Sequence, residues 1–192
     1  MKKPITLTTN FVSNLSPVFC PNGKFIATIE ENNQENNQKN QTVILWDIIR
    51  GIKLAELNKD VELPGISQVL FSPDSQLVTT ATYLTGTVTL WKIPSGEKVH
   101  DLIRGNLVAF AAKGKLLITA DQPVFEPEDT FKKSCIRIWD LDGKEIDQLE
   151  GYDHYIYNLQ VSPDGKYLAA LDCHYNQETG FLRLWDISCY WS

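Results

Sequence analysis

The sequence is poor in the residues that anchor metal, phosphate and nucleophilic chemistry. Its 192 residues include three His, four Cys and one Met. Cys20, Cys135, Cys173 and Cys189 lie far apart, and no C-x-x-C pair occurs. That spacing argues against a zinc-finger type of site, and in a reducing compartment the four read as free thiols. No G-x-x-x-x-G-K-[ST], G-x-G-x-x-G or G-x-S-x-G is present, so the chain lacks a phosphate cradle and a nucleophile elbow. Positive charge is also scarce: 18 Lys and Arg face 24 Asp and Glu, for a net charge of −6. Without a basic surplus to neutralise phosphates, nucleic acid is not expected as a partner. No apolar run approaches the ~18 residues of a membrane span. The start, Met1 to Asn10, has two lysines but no apolar h-region. A cytoplasmic chain with no membrane partner is therefore expected.

What the sequence does have is ordinary globular composition, 43% apolar and 22% charged, enough for a core within a single domain over 1–192. It also has a repeat. Four apolar stretches carry a Trp near their end: Thr42 to Ile48, Thr87 to Ile93, Cys135 to Leu141 and Phe181 to Ile187. Their tryptophans, Trp46, Trp91, Trp139 and Trp185, are 45, 48 and 46 residues apart. A second signal precedes each Trp: Cys20-Pro21-Asn22-Gly23, Ser72-Pro73-Asp74-Ser75, Ala111-Ala112-Lys113-Gly114 and Ser162-Pro163-Asp164-Gly165. Pro fixes φ and Gly or Asn accepts φ > 0, so a tight turn between two apolar runs is a β-hairpin.

Each repeat resolves into four short strands, a to d. In the second repeat they are expected at 66–72, 76–82, 87–93 and 97–102. Strand b is nearly continuous in apolar residues (Tyr167 to Leu171), as for an inner strand buried on both faces. Strand d is charged (Lys144 to Leu149), as for an outer edge in water. No sustained 3.6-residue period occurs, so the chain is all-β, with repeats at about 11–57, 66–102, 106–149 and 156–187.

The Trp-Asp pairs Trp46-Asp47, Trp139-Asp140 and Trp185-Asp186, the Ser-Pro-Asp-Gly turns and the period together resemble the WD-repeat (tryptophan–aspartate repeat) β-propeller family. The likeness runs from about Ser16 to Ile187. It implies a β-propeller with four four-stranded blades in this chain. Two departures stand out. Lys92 follows Trp91, and the family's Gly-His pair is missing, its nearest match being Gly151 followed by His154 three residues on. The hydrogen-bond network of His, Asp, Ser or Thr, and Trp that the family implies is therefore expected to be incomplete in all four blades. The fourth repeat leaves no room for a strand d after Ile187, and 4–9 is a candidate ring-closing strand. Three arrangements stay open: a closed four-bladed ring, half of a dimeric eight-bladed ring, or a fragment of a larger propeller.

The resemblance implies that the b–c and d–a loops share one face, commonly used for partners. Here the b–c loops, about 31–41, 83–86, 122–134 and 173–180, are the long and variable ones. The first, rich in Asn, Gln and Glu, reads as a solvated, mobile loop. The third carries Phe125, Glu126, Glu128, Asp129 and Phe131, aromatic anchors among acids that favour a basic partner segment. Tyr152, His154, Tyr155, His174 and Tyr175 give a second aromatic cluster for that face. These rings can equally cover their own blade. Asp172, Cys173 and His174 with His154 offer a weak metal set without ligand spacing. The expectation is a non-enzymatic interaction scaffold without cofactor, metal or catalytic residues, binding a protein or peptide, with a homodimer as one option. The alternatives are a metal-dependent hydrolytic propeller and a detached or truncated regulatory module of a signalling protein.

Overall fold

Fifteen strands and two short 3-10 turns make up the regular structure of the described residues. The computed structural model describes residues 6–7, 16–33, 39–62, 65–83, 85–103, 105–121, 134–149, 155–173 and 180–191. The first sheet contains β1 (Val18–Phe19), β2 (Phe25–Asn33), β3 (Lys39–Asp47) and β4 (Ile52–Glu62). The second contains β5 (Ile66–Phe71), β6 (Leu77–Thr82), β7 (Thr87–Lys92) and β8 (Lys98–Ile103). The third contains β9 (Leu107–Ala111), β10 (Leu116–Ala120), β11 (Ile136–Asp140) and β12 (Glu145–Leu149). The fourth contains β13 (Tyr155–Val161), β14 (Tyr167–Cys173) and β15 (Gly180–Asp186), three strands among the described residues. Within each sheet the strands lie side by side in chain order, and paired strands run antiparallel. The second repeat matches its four expected strands to within a residue. The expected closing strand over 4–9 falls mostly outside the described residues; Thr6 and Leu7 have no strand assignment. No described helix is long and apolar enough to cross a membrane.

The chain forms two compact units, Met1–Leu84 with Thr89–His100, and Thr85–Val88 with Asp101–Ser192. In the first unit, one core joins Ala27, Ile29, Val43, Leu45 and Leu57 of the first sheet to Ile66, Val69, Phe71 and Val78 of the second. In the other unit, Ile118, Ile136 and Ile138 of the third sheet meet Ile156, Leu159, Leu168 and Ala170 of the fourth, with Trp185 packed alongside.

Both interfaces follow one rule. Residues alternate between the faces of a strand, so each sheet has a face bearing its Trp and a face bearing the residues one and three positions before it. In both units the face without the Trp, Val43 and Leu45 or Ile136 and Ile138, packs on the Trp face of the following sheet.

The hairpin turns show why these sequences fold locally. Ser72 N–H donates to the Leu77 carbonyl and Ser75 N–H to the Ser72 carbonyl, both at 2.9 Å. The fourth sheet repeats this with Ser162, Gly165 and Tyr167, and the first with Cys20, Gly23 and Phe25. The Ser72 and Ser162 hydroxyls donate to Asp74 Oδ1 and Asp164 Oδ1 at 2.6 Å and accept the N–H of Leu77 and Tyr167. Gly23 and Gly165 hold φ of 70° and 80°, but Ser75 holds φ of 62° at the same place, a left-handed conformation that costs a non-glycine residue roughly 1–2 kcal/mol. Its hydroxyl compensates by accepting the Asn22 N–H at 3.2 Å. Cys20, 2% exposed, fills the serine position as a small buried group.

One link of the tryptophan network is present in three of the sheets. The indole N–H of Trp46, Trp91 and Trp139 donates to the hydroxyl of Thr28, Thr80 and Thr119 on the neighbouring strand, at 2.9, 3.0 and 2.9 Å. In the fourth sheet the corresponding residue is Ala170, which has no hydroxyl to offer. The aspartates after Trp serve the next turn instead. Asp47 Oδ1 accepts the Arg50 N–H, Asp140 Oδ1 those of Asp142 and Lys144, and Asp186 Oδ1 that of Ser188. Lys92, which replaces this Asp, pairs its ammonium with Glu97 at 3.1 Å across the turn.

One expectation is corrected. The stretch 31–41 is not a loop throughout: β2 and β3 stay paired through Glu31 with Gln41, Asn32 with Asn40 and Asn33 with Lys39. β4 follows, pairing Gln41 with Val61 and Asn40 with Glu62. Main-chain hydrogen bonds sustain a ladder without apolar side chains once it is nucleated by the buried Val43–Leu45 segment. Gln41, 6% exposed, secures the extension by accepting the Ile66 N–H through Oε1 at 2.8 Å.

Candidate functional site

The b–c ends of the third and fourth sheets are built alike, from an arginine two residues before Trp and an aspartate at the end of strand b. Arg137 on β11 lies opposite Thr119, and Asp121 follows two residues on. Arg183 on β15 lies opposite Ala170, and Asp172 again follows two residues on. Alternation places each pair on one face, the Trp face.

Arg137 Nη1 donates to Asp121 Oδ2 at 2.6 Å, and its Nε lies 3.6 Å from Glu145. The Arg137 side chain is 9% exposed. Burial alone pushes its pKa down; the hydrogen bond and charge of Asp121, with Glu145, outweigh it and leave the pKa raised. Arg183 Nε donates to Asp172 Oδ2 at 3.1 Å, and its guanidinium lies over the Phe181 ring, 5.7 Å from the centroid. Asp172 is fully buried, and its second oxygen, Oδ1, has no hydrogen-bond partner among the described residues.

Each clamp stands at the b–c end of its sheet, beside residues outside the described ones. Asp121 and Ser134 flank residues 122–133, with the Asp121 N–H donating to the Cys135 carbonyl at 3.1 Å. Asp172 and Gly180 stand close to the ends of the last b–c loop, with Cys173 paired to Gly180. At that end of the third sheet, a Cβ on Gly105 would meet Thr119 Cβ at 2.6 Å, so only glycine permits this approach. Its N–H donates to the Gly86 carbonyl at 2.8 Å.

Most residues expected to bind a partner lie outside the described residues: Phe125, Glu126, Glu128, Asp129, Phe131, Tyr152, His154, His174 and Tyr175. Tyr155 is placed by its backbone alone, opening β13 opposite Cys173. Asp172, considered for a metal set, is instead engaged by Arg183, and no group of three or more metal-ligating side chains occurs among the described residues. Local sequence does not single out the clamps. Their signal is present there, as Arg two before Trp and Asp two beyond the residue facing it, but only register connects the two halves.

No family model matches the chain, and no curated protein matches it. Among solved structures 588 chains match, so the architecture is widely shared and is not diagnostic of one activity. One is Kuenenia stuttgartiensis Hydrazine Synthase, with a TM-score of 0.67 and 16% identity over 91% of this chain and 51% of that chain. This chain thus spans about half the length of the solved chain it matches, and the likeness is one of fold alone.

Proposed function

We propose that the four sheets are blades of a WD-repeat-type β-propeller, whole or in part, and that the chain is a cytoplasmic interaction module. It acts by docking a protein or peptide on its b–c and d–a loops, without turnover. The observation that carries this reading is the pair of part-buried Asp–Arg clamps at the b–c ends of the third and fourth sheets. A scaffold that fixes its b–c ends this way reduces the ordering cost of docking. The opposite ends of these sheets carry short, self-satisfied hairpin turns and leave less to offer a partner. The acids of 122–133 favour a basic segment, and Phe125 and Phe131 are its apolar anchors.

The test is selection of basic, aromatic-containing peptides from a displayed library on immobilised protein, followed by affinity measurement. F125A/F131A is expected to weaken the selected peptides roughly tenfold or more, the scale of a lost aromatic anchor. I49E, at an exposed turn residue on the other side of the first sheet, is expected to change nothing. Equal binding by the wild type and F125A/F131A, or selection of no peptide, refutes the reading.

A further inference from the structure

The packing of the fourth sheet on the third is apolar along its middle and polar at one end. Ile136 and Ile138 of β11 meet Ile156, Leu159 and Ala170 in one core. The β11 ladder runs one pair further, because the Asp121 N–H donates to the Cys135 carbonyl. Alternation therefore carries past Ile136 to Ser134, on the same face. On the fourth sheet, Asp172 stands two residues beyond Ala170 and pairs with Ile156, on the face turned to the third sheet. The two sheets meet with their b–c ends together. Tyr190, beyond the other end of β15, hydrogen-bonds Asp147, which lies opposite Ile138. That leaves Ser134 toward the Asp172 end. Ser134 is 5% exposed and Asp172 0%. Ser134 Oγ and Asp172 Oδ1 both lack a hydrogen-bond partner among the described residues.

We propose that this end of the interface is a binding site for one enclosed water molecule, which joins Asp172 Oδ1 to Ser134 Oγ. Buried polar atoms of folded proteins are nearly all hydrogen-bonded, to protein or to ordered water. Three features select water as the occupant. First, what the site needs is a donor without charge. Arg183 Nε donates to Asp172 Oδ2 at 3.1 Å and already offsets the charge of that carboxylate, so a cation set against Oδ1 would meet the repulsion of the guanidinium. Second, the two atoms complement the two sides of a water. A carboxylate oxygen only accepts, whereas a hydroxyl also donates. One water can thus accept the Ser134 O–H and donate to Asp172 Oδ1. Third, both residues are closed off from bulk solvent. A partner's side chain does not reach them in the free chain, whereas a water enclosed during folding does, and two polar partners are enough to hold it. The site is independent of the loop-docking reading, because it is filled in the free chain and uses none of the residues assigned to partner binding.

A high-resolution crystal structure of the full chain tests it, with anomalous data from crystals soaked in rubidium chloride. The expected result is a single peak within hydrogen-bond distance of both Asp172 Oδ1 and Ser134 Oγ, with no rubidium signal. Oxygen-17 relaxation dispersion is the solution test, since it counts waters held longer than the protein takes to tumble. Ser134→Val removes the hydroxyl and fills its space, and is expected to lower that count by about one. Circular dichroism checks that the variant keeps its fold; if it unfolds, Ser134→Ala is read in its place. Rubidium at the site overturns the proposal. So does a protein donor on Asp172 Oδ1, a direct hydrogen bond between Ser134 and Asp172, or an unchanged count in the variant.

Discussion

The third and fourth sheets share one repeat pattern and differ in what covers it. Ile136 and Ile138 stand three and one positions before Trp139, as Leu182 and Leu184 stand before Trp185. The isoleucines are 0% and 1% exposed and the leucines 67% and 65%. Alternation within the strand decides which face a residue joins. It does not decide whether another sheet lies on that face. A repeat sequence therefore specifies surfaces in matched kinds, and the number and order of sheets decide which surfaces are left over.

The widest gap between the sheets is expected in the core. Ile138→Ala removes a fully buried side chain and should cost about 2–5 kcal/mol in denaturant unfolding. Leu184→Ala should stay within about 0.5 kcal/mol. Equal costs would mean that the two faces are not in different environments.

The clamps give the next largest effect. Arg183→Ala strands the fully buried Asp172 carboxylate, for which about 3 kcal/mol is the expected scale. Arg183→Ala with Asp172→Leu should recover most of that loss, because replacing both partners removes the stranded charge. No recovery in the double variant would show that the arginine matters for packing alone.

A smaller effect separates the tryptophans. Thr119→Val leaves the Trp139 indole N–H without its acceptor at a site where Trp139 is 9% exposed, which should cost about 1–3 kcal/mol. The fourth sheet has Ala170 in that place, so Ala170→Val, which adds volume but removes no hydrogen bond, should lack this component. Paired unfolding curves separate the two.

The smallest effect is a link between the two sheets. Tyr190 donates its hydroxyl to Asp147 on β12 at 2.5 Å. That hydrogen bond holds Asp147 below the usual carboxylate range and is the main cause of the Tyr190 pKa rising from 10.0 to about 12. A raised tyrosine pKa contributes stability below pH ~10, lost as the pH rises toward 12. A lowered carboxylate pKa contributes above about pH 4, lost as the pH falls. Melting temperatures of wild type and Tyr190→Phe should therefore differ at neutral pH and converge at both extremes. A constant difference across that range would count against the pair.

Much of the fold was legible because strand, turn and repeat are local. The second repeat's strands follow from alternation bounded by Ser72-Pro73-Asp74-Ser75 and by the turn after Trp91. The polar extension of the first sheet was not legible, because Glu31, Asn32 and Asn40 hold their strands through the main chain and leave no apolar pattern. Nor were the clamps, since Asp121 and Arg137 are 16 residues apart in sequence and meet only through register. The exposed face of the fourth sheet is the clearest case. Leu182 and Leu184 read as core by every local criterion, and their exposure depends on a sheet that local sequence does not describe.

The side-by-side order of strands within each sheet bears on how the chain comes to fold. Each described sheet joins only strands that follow one another in the chain, so a sheet closes by bringing together segments separated by no more than the 15 residues between Ala120 and Ile136. Loop-closure entropy stays small at each step, and a β protein built this way avoids the slow search of long-range strand pairing. Synthesis from the N-terminus delivers the sheets one at a time. The second can settle on the first, and the fourth on the third, as each leaves the ribosome. Folding then resembles laying courses of brick, each newly finished surface serving as the template for the next.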